Sequence, residues 1–134
     1  MITIEQLEGA LRDGGLNFSC DKEKNEIVLK HHSSKYNFDN FILLEVSDDN
    51  EYVDVYCFAF TFEELSRSVL NLINELNGRF KFFSFYVDDD NRLILHSTAI
   101  VKENNSIDEA IELVARATKL MDDIYPDVQR IIWK

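Results

Sequence analysis

The sequence predicts an α+β domain in which helices pack on a mostly antiparallel sheet. Three segments carry a capping box followed by apolar residues at intervals of three and four, which predicts helices. The segments between them alternate apolar and polar residues, and short acidic turns join several of these segments. Turns of hairpin length favour antiparallel pairing, because parallel strands need longer crossovers. We therefore expect a single domain over residues 1–134, with its helices on the sheet.

Each predicted helix opens with a capping box, in which a hydroxyl accepts a free backbone N–H and an acid or amide reaches back. The three boxes are Thr3 with Gln6, Thr61 with Glu64, and Ser106 with Glu109. The first helix is short and ends at Gly14 and Gly15. The second is predicted from about Phe62 to Asn77 and the third from about Ile107 to Ile124. Pro126 follows the third helix, where a chain that stops being helical often places a proline.

The second and third helices carry apolar residues at helical spacing. The stripe of the second helix consists of Phe62, Leu65, Val69, Leu72, Ile73 and Leu76. The apolar set of the third helix is wider and consists of Ile107, Ala110, Ile111, Leu113, Val114, Ala117, Leu120, Met121 and Ile124. A face covering about half of a helix indicates burial from two sides, against the sheet and one further element.

Six segments have the composition or alternation of strands. They are Leu16–Cys20, Ile27–Leu29, Phe41–Val46, Tyr52–Phe60, Phe80–Val87 and Leu93–Ile100. The acidic stretches Ser47–Asn50 and Asp88–Asn91 join neighbouring strands and read as hairpin turns. Calcium binding is the alternative for these acids, but neither stretch has the ligand spacing and central glycine of a calcium loop. The predicted order is one helix, three or four strands, a helix, two strands and a helix.

Two of the predicted strands carry large apolar side chains on both faces. In the strand Tyr52–Phe60, alternation places the aromatic residues and Asp54 on one face and Val53, Val55, Cys57 and Ala59 on the other. The face without helices meets a second layer or forms an exposed patch that binds partners. The candidate contacts with a protein or peptide partner are Tyr52, Tyr56 and Phe58, with Phe83 and Phe85 leading the alternative face. Periodicity leaves open which face is covered.

Composition narrows the classes of partner. The chain has 14 basic and 25 acidic residues, a net charge of −11, and 46% hydrophobic residues. That charge repels phosphate backbones and anionic lipid, so we expect no nucleic-acid or membrane partner. Neither a signal peptide nor an apolar run of membrane-spanning length is evident, which predicts a cytoplasmic protein. Cys20 and Cys57 lie far apart in strand patterns, so we expect reduced thiols.

No residue pattern indicates a reaction, a cofactor or a metal ion. His31 and His32 are adjacent on a strand and point to opposite faces, so they cannot easily hold one ion. His96 is a lone histidine in a strand pattern. Nucleophile, zinc and phosphate-loop motifs are missing, and four glycines leave little material for a phosphate cradle. We therefore expect no catalytic residue, and a protein that is not an enzyme.

Three asparagines spaced by three fall in the last turns of the second predicted helix. On a helical wheel Asn71 faces solvent, Asn74 lies on the flank, and Asn77 reaches the edge of the apolar stripe. They form no single row, which argues against a shared binding site. Asn77 and Gly78 fit a helix C-cap, and Asn74 could bond neighbouring backbone. We predict that Asn74 and Asn77 are structural amides at the end of this helix.

The run AFTFEELSRSVLNLINELNGRFKFFSFYVDDDNRLILHSTAIV resembles the central part of the YbjN family, whose domain is similar in fold to the type III secretion chaperones. The matching features are the helix ending in Asn74-Glu75-Leu76-Asn77, the strand after it, the acidic turn and the strand from Arg92 to Ala99. The likeness covers roughly residues 1–125. It implies the element order α-β-β-β-α-β-β-α, a domain that is often a homodimer, and a regulatory or chaperone-like role. It brings no catalytic residues.

Three functional hypotheses follow. The first is a non-enzymatic protein-binding or chaperone-like domain that acts as a homodimer and takes up a partner segment. The second is a regulator with a small-ligand pocket between sheet and helices. The third is an enzyme whose site would bring His96 or another titratable group beside carboxylates with perturbed pKa values.

Overall fold

The computed structural model describes residues 2–101 and 106–132. Its elements are α1 (Ile4–Asp13), β1 (Phe18–Asp21), β2 (Glu26–Ser33), β3 (Phe38–Val46), β4 (Tyr52–Thr61), α2 (Arg67–Arg79), β5 (Ser84–Val87), β6 (Arg92–Ile100) and α3 (Ser106–Ile132). The α+β class is confirmed. Four strands precede α2, so the order is α-β-β-β-β-α-β-β-α, one strand more than the family resemblance implied.

All six strands form one antiparallel sheet in the order β1-β2-β3-β4-β6-β5. The turn before β6 shows why acidic residues occupy the hairpins. Asp88 accepts hydrogen bonds from the backbone N–H groups of Asp90 and Arg92, and Asn91 adopts a φ of 62°. Asn50 takes the same left-handed conformation in the turn before β4, with a φ of 57°. The prediction that these stretches are turns is confirmed.

The three helices cover one face of the sheet. Helix α3 packs across β2, β3, β4 and β6, and it also contacts α1 and α2 on its flanks. The expectation that its wide apolar face is buried from two sides is therefore confirmed. The inward side chains and the helices form one core, which includes Leu7, Leu11, Ile27, Ile42, Leu44, Val53, Val55, Leu76, Leu93, Leu95, Met121 and Ile124.

Helix α1 begins and ends as its sequence predicts. The Thr3 hydroxyl accepts from the Gln6 N–H at 3.2 Å, and the Gln6 side chain accepts from the Thr3 N–H at 2.9 Å. At the other end, the Leu16 N–H donates to the Leu11 carbonyl and the Gly15 N–H donates to the Arg12 carbonyl. This pair of bonds is a Schellman motif, and it requires Gly15 at a φ of 75°.

Helix α2 begins five residues later than predicted, and the Thr61–Glu64 capping box does not form. Thr61 still belongs to β4, and the Phe62 N–H donates to the Asn91 carbonyl at 2.8 Å, which holds the chain extended beside the turn before β6. The N-cap is Ser66, whose hydroxyl accepts from the Val69 N–H. Leu65 therefore precedes the helix and is exposed.

Helix α3 continues beyond the predicted end and contains Pro126. A proline inside a helix removes one hydrogen bond and is normally unfavourable. Packing outweighs that cost here, because the Tyr125 ring is stacked between Tyr36 and Phe38 at centroid distances of 4.3 and 5.1 Å. Val128, two residues after the proline, is fully buried. The predicted Ser106–Glu109 capping box depends on the Ser106 side chain, which lies outside the described part of the structure.

Two strand predictions also need correction. Strict alternation placed Phe60 on the face of Tyr56 and Phe58, but the β4–β6 register shifts between Phe58 and Thr61. Phe60 consequently turns into the core, with its ring 5.1 Å from Phe38. The predicted strand Phe80–Val87 is strand only over Ser84–Val87.

Candidate functional site

The two faces of β4 differ in what covers them. Val53, Val55 and Cys57 are fully buried beneath the helices. The opposite side chains of β4 lie on the face that no helix of the described residues covers, which we call the open face. The partner-contact candidates Tyr52, Tyr56 and Phe58 lie there and are partly exposed. Phe83 and Phe85, the candidates for the alternative face, lie in the core with exposed fractions of 5% and 2%.

A continuous apolar band crosses the open face at right angles to the strands. Strand register places Phe41 beside Phe58 and Leu43 beside Tyr56. Their neighbours in β2, β6 and β5 extend the band, which we call the aromatic stripe and which consists of Val28, Phe41, Leu43, Tyr56, Phe58, Ile94 and Tyr86. The Phe41 and Phe58 rings are stacked at 5.4 Å. Val28, Phe41 and Tyr86 are the most exposed members, at 44%, 37% and 41%.

Three carboxylates form a second line beside the stripe. Glu26 is directly opposite Glu45, and Glu45 is directly opposite Asp54. We call Glu26, Glu45 and Asp54 the acidic row. Each lies two residues along its strand from Val28, Leu43 or Tyr56, so the row and the stripe are parallel. Within residues 2–101 and 106–132, none of the three is paired with lysine or arginine.

Glu45, the central carboxylate of the acidic row, lies in an environment that disfavours its charge. Partial burial and the neighbouring Glu26 carboxylate raise the pKa of Glu45 above the ordinary glutamate value. Like charges directly opposite each other on a sheet are destabilising. Asp39 on the same face of β3 behaves in the opposite way: its hydrogen bond with His32 and the Lys30 ammonium at 3.4 Å lower its pKa. The open face therefore has one carboxylate that contacts His32 and Lys30, and a row in which no described lysine or arginine contacts a carboxylate.

His96 joins the acidic row to the aromatic stripe. Its Nε2 lies 2.8 Å from Asp54, which also accepts from the Thr98 hydroxyl at 2.7 Å. The imidazole stacks on the Tyr56 ring at 4.6 Å. An aspartate can orient a histidine so that the histidine acts as a general base toward a nearby nucleophile. Ser84 lies opposite His96 on β5, but in the described structure no hydrogen bond joins its hydroxyl to His96. His96 thus holds Asp54 and Tyr56 in position on the open face, and no nucleophilic side chain of the described residues is hydrogen-bonded to its ring.

Comparison with known proteins identifies the family. The family model YbjN, described as "Putative bacterial sensory transduction regulator", matches residues 3–130. The chain belongs to the YbjN family. The resemblance found in the sequence is therefore confirmed. Searches of curated proteins and of solved structures gave no match.

In this YbjN chain, Asn77 holds the edge strand rather than capping a helix. Its amide donates to the Phe85 carbonyl at 2.9 Å, and its side-chain oxygen accepts from the Phe85 N–H at 2.8 Å. The predicted C-cap at Asn77 and Gly78 is wrong, because α2 continues to Arg79 and Phe80 is the C-cap. Asn74 is exposed on the helix. The Asn77 amide thus occupies the backbone positions at which another strand could pair with β5.

The other histidines and the acidic clusters of the YbjN chain do not form a metal site in the described part of the structure. His32 bonds Asp39 on the open face, while His31 Nδ1 lies 3.5 Å from Asn40 on the covered side, as predicted for neighbours on a strand. No three His, Cys, Asp or Glu side chains among residues 2–101 and 106–132 are placed to hold an ion. None of the described helices is long and apolar enough to cross a membrane.

Two neighbouring cavities border α3, one against β6 and the other against the connection between α2 and β5. They share Phe82 and Arg116, whose guanidinium lies 5.3 Å from the ring centroid. The larger cavity, about 370 Å³, is lined mainly by β6 and α3, including Ile100 and Leu113. The smaller, about 190 Å³, also contacts Lys119.

The acidic row is the feature that the sequence reasoning missed. Glu26 and Glu45 are far apart in the chain, and only the pairing of β2 with β3 makes them neighbours. The signal that could have found them is the alternation within β3, which places Glu45 on the face opposite Leu44. That signal becomes useful only when the register of the neighbouring strands is known.

Proposed function

We propose that this YbjN protein is a non-enzymatic regulator that binds a protein partner through the open face of its sheet. The observation that carries the proposal is the aromatic stripe, an apolar band on a regular sheet with no helix of the described residues over it. Aromatic residues supply much of the binding energy at protein interfaces, and exposed apolar patches mark such surfaces. The family description as a sensory transduction regulator agrees with a protein that acts by binding.

The geometry of the stripe is suited to binding a partner. Tyr56 is stacked on His96 and Phe58 is stacked on Phe41, so both rings are already held in place before a partner arrives. Arg92 lies 4.9 Å from the Phe58 centroid and covers part of that ring. A pre-organised surface loses little side-chain entropy on association.

A capture experiment tests the proposal. The chain and a double variant, Tyr56→Ser with Phe58→Ser, are each immobilised and exposed to lysate of the source organism. The control variant is Phe82→Ser, which removes an aromatic side chain that is 64% exposed and lies off the open face. We expect specific partners on the unaltered chain and on the control but not on the double variant. Equal retention by all three would contradict the proposal.

A homodimer forms part of the proposal. Leu65 and Leu70 support it, because they are apolar, 53% and 52% exposed, and lie outside the open face. Dimerisation through this region would leave the aromatic stripe free for a partner. Sedimentation equilibrium should give twice the chain mass, and Leu70→Glu should shift the equilibrium toward the monomer. A monomer at all concentrations would remove the dimer from the proposal and leave the open face unaffected.

The cavities beside Phe82 favour a second candidate function, binding of a small ligand. A volume of about 370 Å³ lies in the range of small-molecule sites. A thermal-shift screen of metabolites tests it, because a ligand that binds only the folded state raises the melting temperature. Stabilisation that Leu113→Trp abolishes would support this site.

A cytoplasmic location stays a prediction of the sequence.

A further inference from the structure

We propose that the segment bound on the open face is a cationic amphipathic helix that lies across the strands, with its basic side chains on the acidic row and its apolar side chains on the aromatic stripe. This inference rests on the proposed function, since it names the chemistry of the partner at the same surface. The two parallel lines of the open face carry it: an apolar line and, two residues away on β2, β3 and β4, a line of carboxylates that no described lysine or arginine contacts.

The spacing of the carboxylates selects a helix. Glu26, Glu45 and Asp54 are on consecutive strands, which lie ~4.8 Å apart, so the row spans about 10 Å. One basic residue per helical turn recurs every 5.4 Å, and two turns therefore match the row. In an extended segment, side chains on the same side recur every ~6.8 Å, so they do not match the ~4.8 Å spacing of the carboxylates.

The distance between the two lines also fits a helix. Two residues along a strand correspond to about 6.7 Å, which separates Glu45 from Leu43 and Asp54 from Tyr56 along their strands. A helix with its side chains is ~10 Å wide, so one helix lying across the sheet covers both lines. Its basic side chains would reach Glu45 while adjoining apolar side chains contact the stripe.

The charge of the open face argues for a cationic occupant. Burial and the facing Glu26 carboxylate raise the pKa of Glu45, which means that its charge is unfavourable in the free protein. A lysine or arginine placed between the two carboxylates removes that repulsion when the partner binds. A second copy of the chain would bring another acidic row and a net charge of −11, and anionic membranes and nucleic acids are repelled in the same way.

Three fluorescent peptides of about 14 residues, or ~21 Å of helix, test the inference. The first carries lysines at intervals of three and four beside a line of leucines, so that its helix has one basic and one apolar side. The second contains the same residues in strict lysine–leucine alternation, and the third is the first with each lysine replaced by glutamine. Fluorescence anisotropy measures each dissociation constant. We expect the first peptide to bind about tenfold more tightly than the other two.

A matched pair of protein variants locates the contact. Glu26→Gln with Glu45→Gln removes two charges from the acidic row, and Glu63→Gln with Glu64→Gln removes two charges from the exposed connection between β4 and α2. Both raise the net charge from −11 by the same amount. The first should weaken binding of the helical peptide about tenfold, and the second by less than twofold. Circular dichroism checks that each variant is folded.

Charge reversal provides a test that does not depend on loss of binding. Glu26→Lys with Glu45→Lys should bind a version of the first peptide in which the lysines are replaced by glutamates more tightly than the unaltered chain does. Equal affinity for the three peptides, equal effects of the two glutamine pairs, or failure of the reversal would each overturn the inference. None of these results changes the outcome of the capture experiment with Tyr56 and Phe58. The proposed function can therefore be correct even when this inference is wrong.

Discussion

Leu43 and Leu44 are neighbours in β3 and have the same side chain, yet they lie in different environments. Leu44 is fully buried beneath the helices, where it opposes Val55 of β4. Leu43 is partly exposed on the open face and opposes Tyr56. The comparison shows that the sheet has apolar side chains on both faces, and that the described helices cover only one of them.

The two faces also differ in composition. The covered face uses mainly aliphatic side chains such as Val53 and Val55, which pack under helices without polar atoms to satisfy. On the open face, apolar side chains are mixed with polar and charged ones, and in β4 Asp54 lies between Tyr52 and Tyr56. This mixture keeps the surface hydrated while leaving a continuous apolar band for a partner.

The largest effect that distinguishes the two faces should come from removing each leucine in turn. Leu44→Ala should lower the free energy of unfolding by ~2–5 kcal/mol, because it deletes buried contacts and leaves a cavity. Leu43→Ala should cost clearly less, because water can occupy the vacated position on the open face. Urea denaturation followed by circular dichroism measures both values.

The pair serves as its own control, since both variants remove the same atoms from the same strand. Equal losses of stability would mean that the open face is covered in solution, by a second copy or by the chain itself. A concentration-dependent loss for Leu43→Ala alone would indicate a dimer through this face. Either result would break the distinction between a folding face and a binding face.

The second prediction concerns the edge of the sheet. Asn77→Ala should lower the free energy of unfolding by ~1–3 kcal/mol, because the Phe85 N–H and carbonyl lose both partners. Asn74→Ala is the matched control on the same helix, and its exposed side chain predicts a change within ~0.5 kcal/mol. Thermal and urea melts measure both.

Equal effects of the two asparagine variants would show that the contact with Phe85 does not stabilise β5. The same experiment examines association, because freeing the backbone of Phe85 exposes an edge that can pair with another strand. We expect Asn77→Ala to aggregate more readily than Asn74→Ala near the melting temperature. Light scattering during the melt reports the difference.

The sequence was sufficient to predict the elements that depend on local signals. Alternation assigned Val53 and Tyr56 to opposite faces, and the Thr3 box and the Gly15 turn bounded α1. It failed where tertiary contacts override local ones. The Thr61 box was outweighed by the bond between Phe62 and Asn91, and Pro126 was retained inside α3 by the packing around it.

The candidate site was predictable only in part. Tyr56 and Phe58 were identified from alternation, but the covered face could not be chosen because both faces of β4 are apolar. That choice depends on which side of the sheet receives the helices, and no local pattern encodes it. The acidic row depends further on register, because residues as distant as Glu26 and Asp54 meet only after three strands have paired.

The smallest predicted effects come from replacing two carboxylates on the open side of β3, Glu45 and Asp39. The pKa of Glu45 is raised in the fold by burial and Glu26, so its stability penalty develops as the pH rises above the ordinary glutamate pKa and persists at pH 7. Glu45→Gln should therefore increase the free energy of unfolding at pH 7 by roughly 0.2–1 kcal/mol, and the gain should vanish below about pH 4.

Asp39 should respond with the opposite sign. Its pKa is lowered, first by the hydrogen bond with His32, so its contribution is present above the ordinary aspartate pKa and is lost as the pH falls through the lowered value. Asp39→Asn should thus destabilise the protein at neutral pH and have no effect in strong acid. Urea melts between pH 2 and pH 8 measure both profiles. Parallel profiles for the two variants would mean that the carboxylates of the open face are equally neutralised, and the argument for a cationic partner would lose its basis.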